Sequence, residues 1–340
     1  MIALLRLAPH DERFAMRNLL IEMVIAAWAP AALYRLSFGP HDRLQDLVRT
    51  LQTDARLSAN TTENRVRSAL KAWPSSTARL EALGRYVPGR FLAPWHAEGL
   101  PNSVQDEHRN RLLIERSQLR QGSASAGPYA IFGQGLDAQI VLEPSWREWL
   151  LENLLIVRCF TELELARFLQ ARNPHVPGVV DKVRPPGQRK LASARRSFER
   201  LRVAEGGLSD LFTGRPLADG YAIDHFLPRA FVAHDLIWNL APTAHAINLD
   251  KADQLPHSAF VRRLASLHFR LIKLGPVGSD QSLDYAAALG TDTRSLMVAS
   301  LVEFNGLFED FLRPLFQIAS NQGFRANWRP AGGAADRPED

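Results

Sequence analysis

The sequence predicts a mainly α-helical protein carrying one small segment of different texture. Three observations predict it. Apolar residues recur at helical spacing through most of the first two hundred positions. Glycine and proline turn chemistry and two-residue alternation come together between Leu208 and Phe226. Helical spacing then returns after Pro256. With 340 residues, 46% hydrophobic and 23% charged, the chain can bury a sizeable core, and wholesale disorder is excluded. A net charge of +5, from 41 basic and 36 acidic side chains, is compatible with polyanion binding without establishing it.

Leu44, Leu47, Val48 and Leu51 fall on one helix face after Gly39-Pro40. Val66, Ala69, Leu70 and Trp73 repeat the pattern and stop at Pro74. A further helix runs from Ser75 or Thr77 to Gly84, and Tyr86 to Trp95, with two prolines and a glycine, reads as an ordered connection. Gln121 to Gly127 is the flexible loop of the first half. Tyr129–Phe132 and Gln139–Leu142 predict a small hairpin, and Ser145 to Glu148 has the form of a capping box. Helices follow to about Arg172, where Asn173-Pro174 ends them. Leu211 to Leu217 carries turn chemistry and Tyr221 to Phe226 alternates like a strand. After Pro256, Phe260, Val261, Leu264, Leu267 and Leu271 share a face, and so approximately do Leu296, Ala299, Val302 and Phe304. Ala331 to Asp340 is small, polar and expected to be disordered.

A lone cysteine, Cys159, excludes an internal disulfide and a zinc site built from several thiolates. Its apolar helical context predicts a small buried hydrophobe. The stretch Leu19 to Leu36 is interrupted by Glu22, Pro30 and Arg35, which argues for a core helix over a membrane span. No secretory signal is recognisable, and a cytoplasmic location is expected.

The chemistry concentrates between Asp224 and Lys251. Asp224 and His225 are adjacent on the expected strand, Asn239 follows, and Asn248 and Lys251 lie beyond it. Cleaving a phosphodiester needs an activated water, charge neutralisation and a stabilised leaving oxygen. Asp224 and Asn248 can offer oxygens to a hard cation such as Mg²⁺, and neutral His225 is suited to accept a proton near neutral pH. Adjacent strand residues point to opposite faces, so the strand must end or bend for both to serve one site; Pro228 shortly after supports that.

The segment Ala222 to Pro256 resembles the ββα-metal core of HNH endonucleases, most closely the variety with an Asp-His first strand found in RNA-guided CRISPR effector nucleases. The resemblance implies Asp224 and Asn248 as metal ligands, His225 as general base, and Asn239 as the residue that braces the loop and orients the histidine. It places Lys251 close to the substrate phosphates, Leu211 to Ala222 as the preceding hairpin strand, and His245 to Asp253 at the opening of the α element. It also implies one Mg²⁺ or Mn²⁺ ion, cleavage to 5′-phosphate and 3′-hydroxyl ends, and no structural zinc, since the paired cysteines of many relatives are absent. Tyr34–Leu44, Tyr86–Trp95 and Arg172–Gly178 resemble the helical flanks of bacterial HNH proteins thought to act against foreign DNA.

The expected fold is thus mainly α with a small ββα-metal core. It divides into a helical recognition or regulatory region (1–205), the core (206–260), C-terminal helices packed on it (261–325) and a disordered tail (326–340). DNA is the expected substrate. The alternatives are an RNA-cleaving effector and a non-catalytic nucleic-acid-binding protein with a decayed core. A partner protein or guide complex could engage the N-terminal half. His234, His245 and His257 lie near the motif, with His245 ranked only as an extra ligand. The basic run Lys182 to Arg202 includes Arg189, Lys190, Arg195, Arg196 and Arg200 as expected phosphate contacts, and Lys251 as a further one; such contacts position a substrate without reading its sequence.

Overall fold

The computed structural model describes residues 1–101, 105–275 and 278–331. The chain divides into two compact units, one comprising residues 1–174 and 179–185, the other 175–178 and 186–340. Of the segment expected to form the tail, 332–340 lies outside the described residues.

The first unit is built from helices α1 (Ile2–Leu7), α2 (Met16–Trp28), α3 (Arg43–Asp54), α4 (Glu63–Ala72) and α5 (Ser76–Gly84). Single-turn helices α6 (Val87–Arg90) and α7 (Ala93–His96) occupy the expected connection; α8 (Asp106–Leu119), α9 (Pro144–Glu152) and α10 (Leu154–Arg172) complete the set. Strands β2 (Tyr129–Phe132) and β3 (Gln139–Leu142) form the expected hairpin, and β1 (Arg13–Ala15) adds to the other edge of β3. The Met16–Leu33 stretch is apolar enough to cross a membrane by length and composition, yet 78% of it is buried against its own unit, as a core helix requires. α9 starts without the expected capping box: Glu143 is the N-cap and Pro144 opens the first turn, a position where proline's missing N–H costs nothing. Cys159, expected inside, is exposed on α10.

The second unit holds α11 (Ala192–Glu205), β4 (Ala222–His225), α12 (Arg229–Val232), β5 (Leu240–Thr243) and α13 (His245–Lys251). It continues with α14 (Phe260–Leu274), α15 (Asp280–Leu289), α16 (Thr293–Val298) and α17 (Leu301–Asn321). β4 and β5 pair antiparallel, Asp224 opposite Ala241 and His225 opposite Leu240. The expected strand over Leu211–Ala222 does not form. Instead Asp210 to Gly214 turns tightly, with a single bridge between Ser209 and Pro216, and the two strands of the ββα unit are β4 and β5. The stripe Leu296 to Phe304 is likewise split: Ser300 and Glu303 form a capping box that starts α17 afresh, and Val302 faces solvent.

Phe212 anchors the core of this unit. It stacks with Phe226 and meets Phe260 and Trp328 edge-on, with ring centroids 5.3 and 5.1 Å away. Trp328 lies beyond the helices but is buried. Its backbone bridges Leu255–His257 in parallel, and its indole N–H donates to Asp250 Oδ2 at 3.0 Å. The C-terminal segment therefore staples the end of the ββα unit.

Candidate active site

β4 ends on Asp224 and His225, both almost wholly buried. Alternation along the strand sends the two side chains to different partners. Asp224 meets α13, where Lys251 Nζ lies 2.9 Å from its Oδ2 and donates to the His225 carbonyl at 2.7 Å. Burial pushes the Asp224 carboxyl above the usual range, and the Lys251 ammonium pulls it back. The contact is one of charge: Asp224 Oδ2 receives no aligned hydrogen bond despite its burial.

His225 is held by a residue the sequence reading did not single out. Its Nε2 lies 2.8 Å from Asp235 Oδ1. The same oxygen accepts from Arg229 Nε at 3.0 Å, and Asp235 Oδ2 accepts from the Lys190 amide at 2.6 Å. Burial opposes the charge on Asp235, but the hydrogen bonds from His225 and Lys190 and the Arg229 guanidinium hold its carboxyl well below the usual range. A carboxylate only accepts, so Nε2 carries the proton and Nδ1 is left as the basic nitrogen.

Asn239 is fully buried and braces the chain just past His225. Its Oδ1 accepts from the Leu227 N–H at 2.8 Å, its Nδ2 donates to the Leu227 carbonyl at 2.9 Å, and its own carbonyl accepts from Phe226 N. Asp210 fixes the other end of the unit. One carboxylate oxygen accepts from Phe212 N, Thr213 N and Thr213 Oγ1; the other accepts from Thr243 Oγ1 at 2.6 Å and Ala244 N at 2.7 Å. It thus ties the turn after Leu208 to the end of β5 and the start of α13. An Asp three residues before a Thr-Gly pair is the signal the sequence offers for it.

Asn248 stands three residues before Lys251 and so shares its face of α13. It is half-buried, and its side chain makes no hydrogen bond among the described residues. A buried carboxylate oxygen with unused acceptor capacity, facing a helix that offers an amide oxygen, fits a hard divalent cation. Asp224 and Asn248 are the residues that would hold it.

Other expectations are redirected. Lys251, expected at the phosphates, is fully buried and spends its charge on Asp224. His245 Nε2 donates to the Gly220 carbonyl, His234 Nδ1 accepts from Leu236 N, and His257 lies against Arg329, so the three histidines have separate partners. The basic run is not one surface. Lys182 is buried in the first unit, Arg184 pairs with Glu162 there, and Arg202 pairs with Glu199 and Asp219. Arg189, Lys190 and Arg196 are exposed. Arg195, Arg196 and Arg200 line a groove of about 800 Å³ between α11 and the start of α15.

The sequence model of the HNH endonuclease family matches residues 210–257. No curated protein and no solved structure matches the chain significantly. The matched stretch opens on the Asp210 turn and closes at the Trp328 staple, so it coincides with the ββα unit that the hydrogen bonds define. Residues 210–257 are thus similar to the HNH endonuclease family.

Proposed function

We propose that this protein is a divalent-metal-dependent endonuclease that hydrolyses DNA. The observation that carries the reading is the pair at the end of β4: a metal-fitting carboxylate backed by Lys251, and an imidazole whose Nε2–H is tied to Asp235. A cation held by Asp224 and Asn248 would neutralise charge on the phosphate and the departing oxygen. His225 Nδ1 accepts the proton of the attacking water as its oxygen bonds to phosphorus. The bond to the 3′ oxygen breaks and that oxygen takes a proton from solvent water, leaving 5′-phosphate and 3′-hydroxyl ends. Asp235 fixes the imidazole's tautomer and orientation, and Asn239 fixes the backbone behind it. Lys251 balances Asp224 and is assigned no phosphate contact. The arginines of the α11 groove are suited to hold backbone phosphates. The first unit is the region for recognition or regulation, where action on foreign DNA or through a partner complex would be decided.

The test is nicking of supercoiled plasmid with Mg²⁺ or Mn²⁺, with a chelator control, comparing wild type with His225→Ala. Metal-dependent nicking lost in the folded variant is the expected result. Cleavage of a transcript but not of plasmid in parallel would move the substrate to RNA. Retained cleavage by His225→Ala at equal metal would remove His225 as the base.

A further inference from the structure

Residues 185–190 run without helix or strand and are exposed at every position. Here the chain makes its last passage from the first unit to the second, between Pro185 and Pro186. The exposed run ends at Leu191, which packs on the core of the second unit. Ordering such a coil costs conformational entropy with no burial to offset it, so its course depends on what fastens it. Two of its backbone groups reach one pair of side chains. The Lys190 N–H donates to Asp235 Oδ2 at 2.6 Å, and the Gly187 carbonyl accepts from Arg229 Nη2 at 3.0 Å. Arg229 Nε donates in turn to Asp235 Oδ1 at 3.0 Å, the oxygen that lies 2.8 Å from His225 Nε2.

We propose that residues 187–190 are a strap that keeps Asp235 turned onto His225, with Arg229 as the positioning residue that ties strap to carboxylate. The inference rests on the nuclease reading above and adds to it the element on which the orientation of the histidine depends. Arg229 suits the task because a planar guanidinium presents Nε and Nη2 in one fixed fork. The spacing between the Gly187 carbonyl and Asp235 Oδ1 is thereby set by covalent geometry. A lysine ammonium carries the same charge without that span. The Lys190 amide does the complementary work: Oδ1 is shared by His225 and Arg229, and a donor on Oδ2 stops the carboxylate from swinging about its own bond. With the strap released, the carboxylate can turn away from the imidazole, which then samples both tautomers. The form with its proton on Nδ1 has no basic nitrogen there to accept from water.

The test uses the full chain and two readouts. Plasmid nicking gives kcat and KM. Selective ¹⁵N labelling of histidine, with His225→Ala to assign the resonance, gives the His225 tautomer without any cleavage. Arg229→Gln is compared with wild type, and Lys190→Pro, which lacks the amide proton, with Lys190→Ala, which lacks the same side chain and keeps the amide. Both Arg229→Gln and Lys190→Pro are expected to lower kcat about tenfold or more with KM unchanged, and to move His225 from the Nε2-protonated form to a mixture. Arg229→Lys should fall with them, since the charge alone does not span the two acceptors. Lys190 is exposed, so its variants keep the test open if Arg229→Gln fails to fold. A raised KM with kcat kept would make Arg229 a substrate contact and overturn the proposal. So would full activity in Arg229→Lys, or a wild-type tautomer in the folded variants. If wild type cleaves nothing, the nuclease reading fails separately, and the tautomer alone decides whether the strap holds the histidine.

Discussion

His225 Nε2 and Asp235 Oδ1 lie 2.8 Å apart with both side chains nearly sealed from solvent. The imidazole is therefore supplied with a fixed proton on one nitrogen before any substrate arrives. Asp235→Asn keeps the shape but removes the charge and the acceptor preference. It is expected to lower kcat about 10–100-fold, the range for outer partners of catalytic groups, with KM little changed. Equal loss in KM with no change in kcat would contradict the orienting role.

The same carboxylate sets an acid limit on stability. Its folded pKa is depressed below the unfolded value of about 3.9. Its contribution is therefore complete above that value and is lost as pH falls through the folded pKa. The stability gap between wild type and Asp235→Asn, read by denaturant titration, should be widest at neutral pH and narrow below about pH 4. A gap that widens in acid would reverse the sign.

Lys251 and Asp224 form a buried pair, and removing one partner leaves the other unpaired. Lys251→Met should cost about 3–5 kcal/mol. Asp224→Asn combined with Lys251→Met should recover most of that loss. Denaturant midpoints of the two singles and the double decide it; a purely additive result would mean the pair is not coupled.

Asn239→Ala strands the Leu227 N–H and carbonyl in the interior. Each buried orphan costs about 1–3 kcal/mol, so a clear fall in melting temperature is expected. Loss of cleavage should accompany it at temperatures where the variant stays folded, because the strand end that carries His225 is no longer braced. An unchanged melting temperature would contradict the bracing role.

His268 is fully buried, its Nδ1 shares a hydrogen bond of 2.7 Å with the Tyr285 hydroxyl, and its ring stacks on Phe308. Burial pushes it down to about 3. Its folded pKa lies below the unfolded value of about 6.5, so the unfolded chain takes up the proton first. Stability should fall as pH drops below about 6.5, by up to about 1.4 kcal/mol per pH unit from this group. His268→Leu should remove that part of the slope, as chemical denaturation from pH 7 to 4 would show.

Much of the site was legible because its residue types are confined to a short stretch. Asp224, His225, Asn239 and Asn248 are suited to the chemistry proposed above, to which few other side chains are suited, and their spacing is visible without any knowledge of the fold. Asp235 and Asp210 were not legible. A lone aspartate in a loop has many uses, and only folding brings Asp235 to His225 or Asp210 to Ala244. Lys251 was found but misplaced, since a sequence shows a positive charge and not the buried carboxylate that claims it. The helical periodicity of Leu44 to Leu51 and Phe260 to Leu271 was read correctly, because a one-sided helix advertises its buried stripe. The same logic misled at Cys159, where an apolar stripe faces outward, and at Leu211–Ala222, where turn residues form a turn held by Asp210 and not a strand.

The Trp328 staple has a consequence for how the ββα segment can be moved. Leu255, Pro256 and His257 take their backbone partners from Arg325 and Trp328, and Phe212 takes a ring partner from the same tryptophan. The stretch that matches the HNH family thus borrows part of its interior from sequence some seventy positions downstream. Excised at its own borders, or spliced into a foreign scaffold, it would arrive with an open flank. A graft of the motif that is to keep this flank closed has to carry the tryptophan with it.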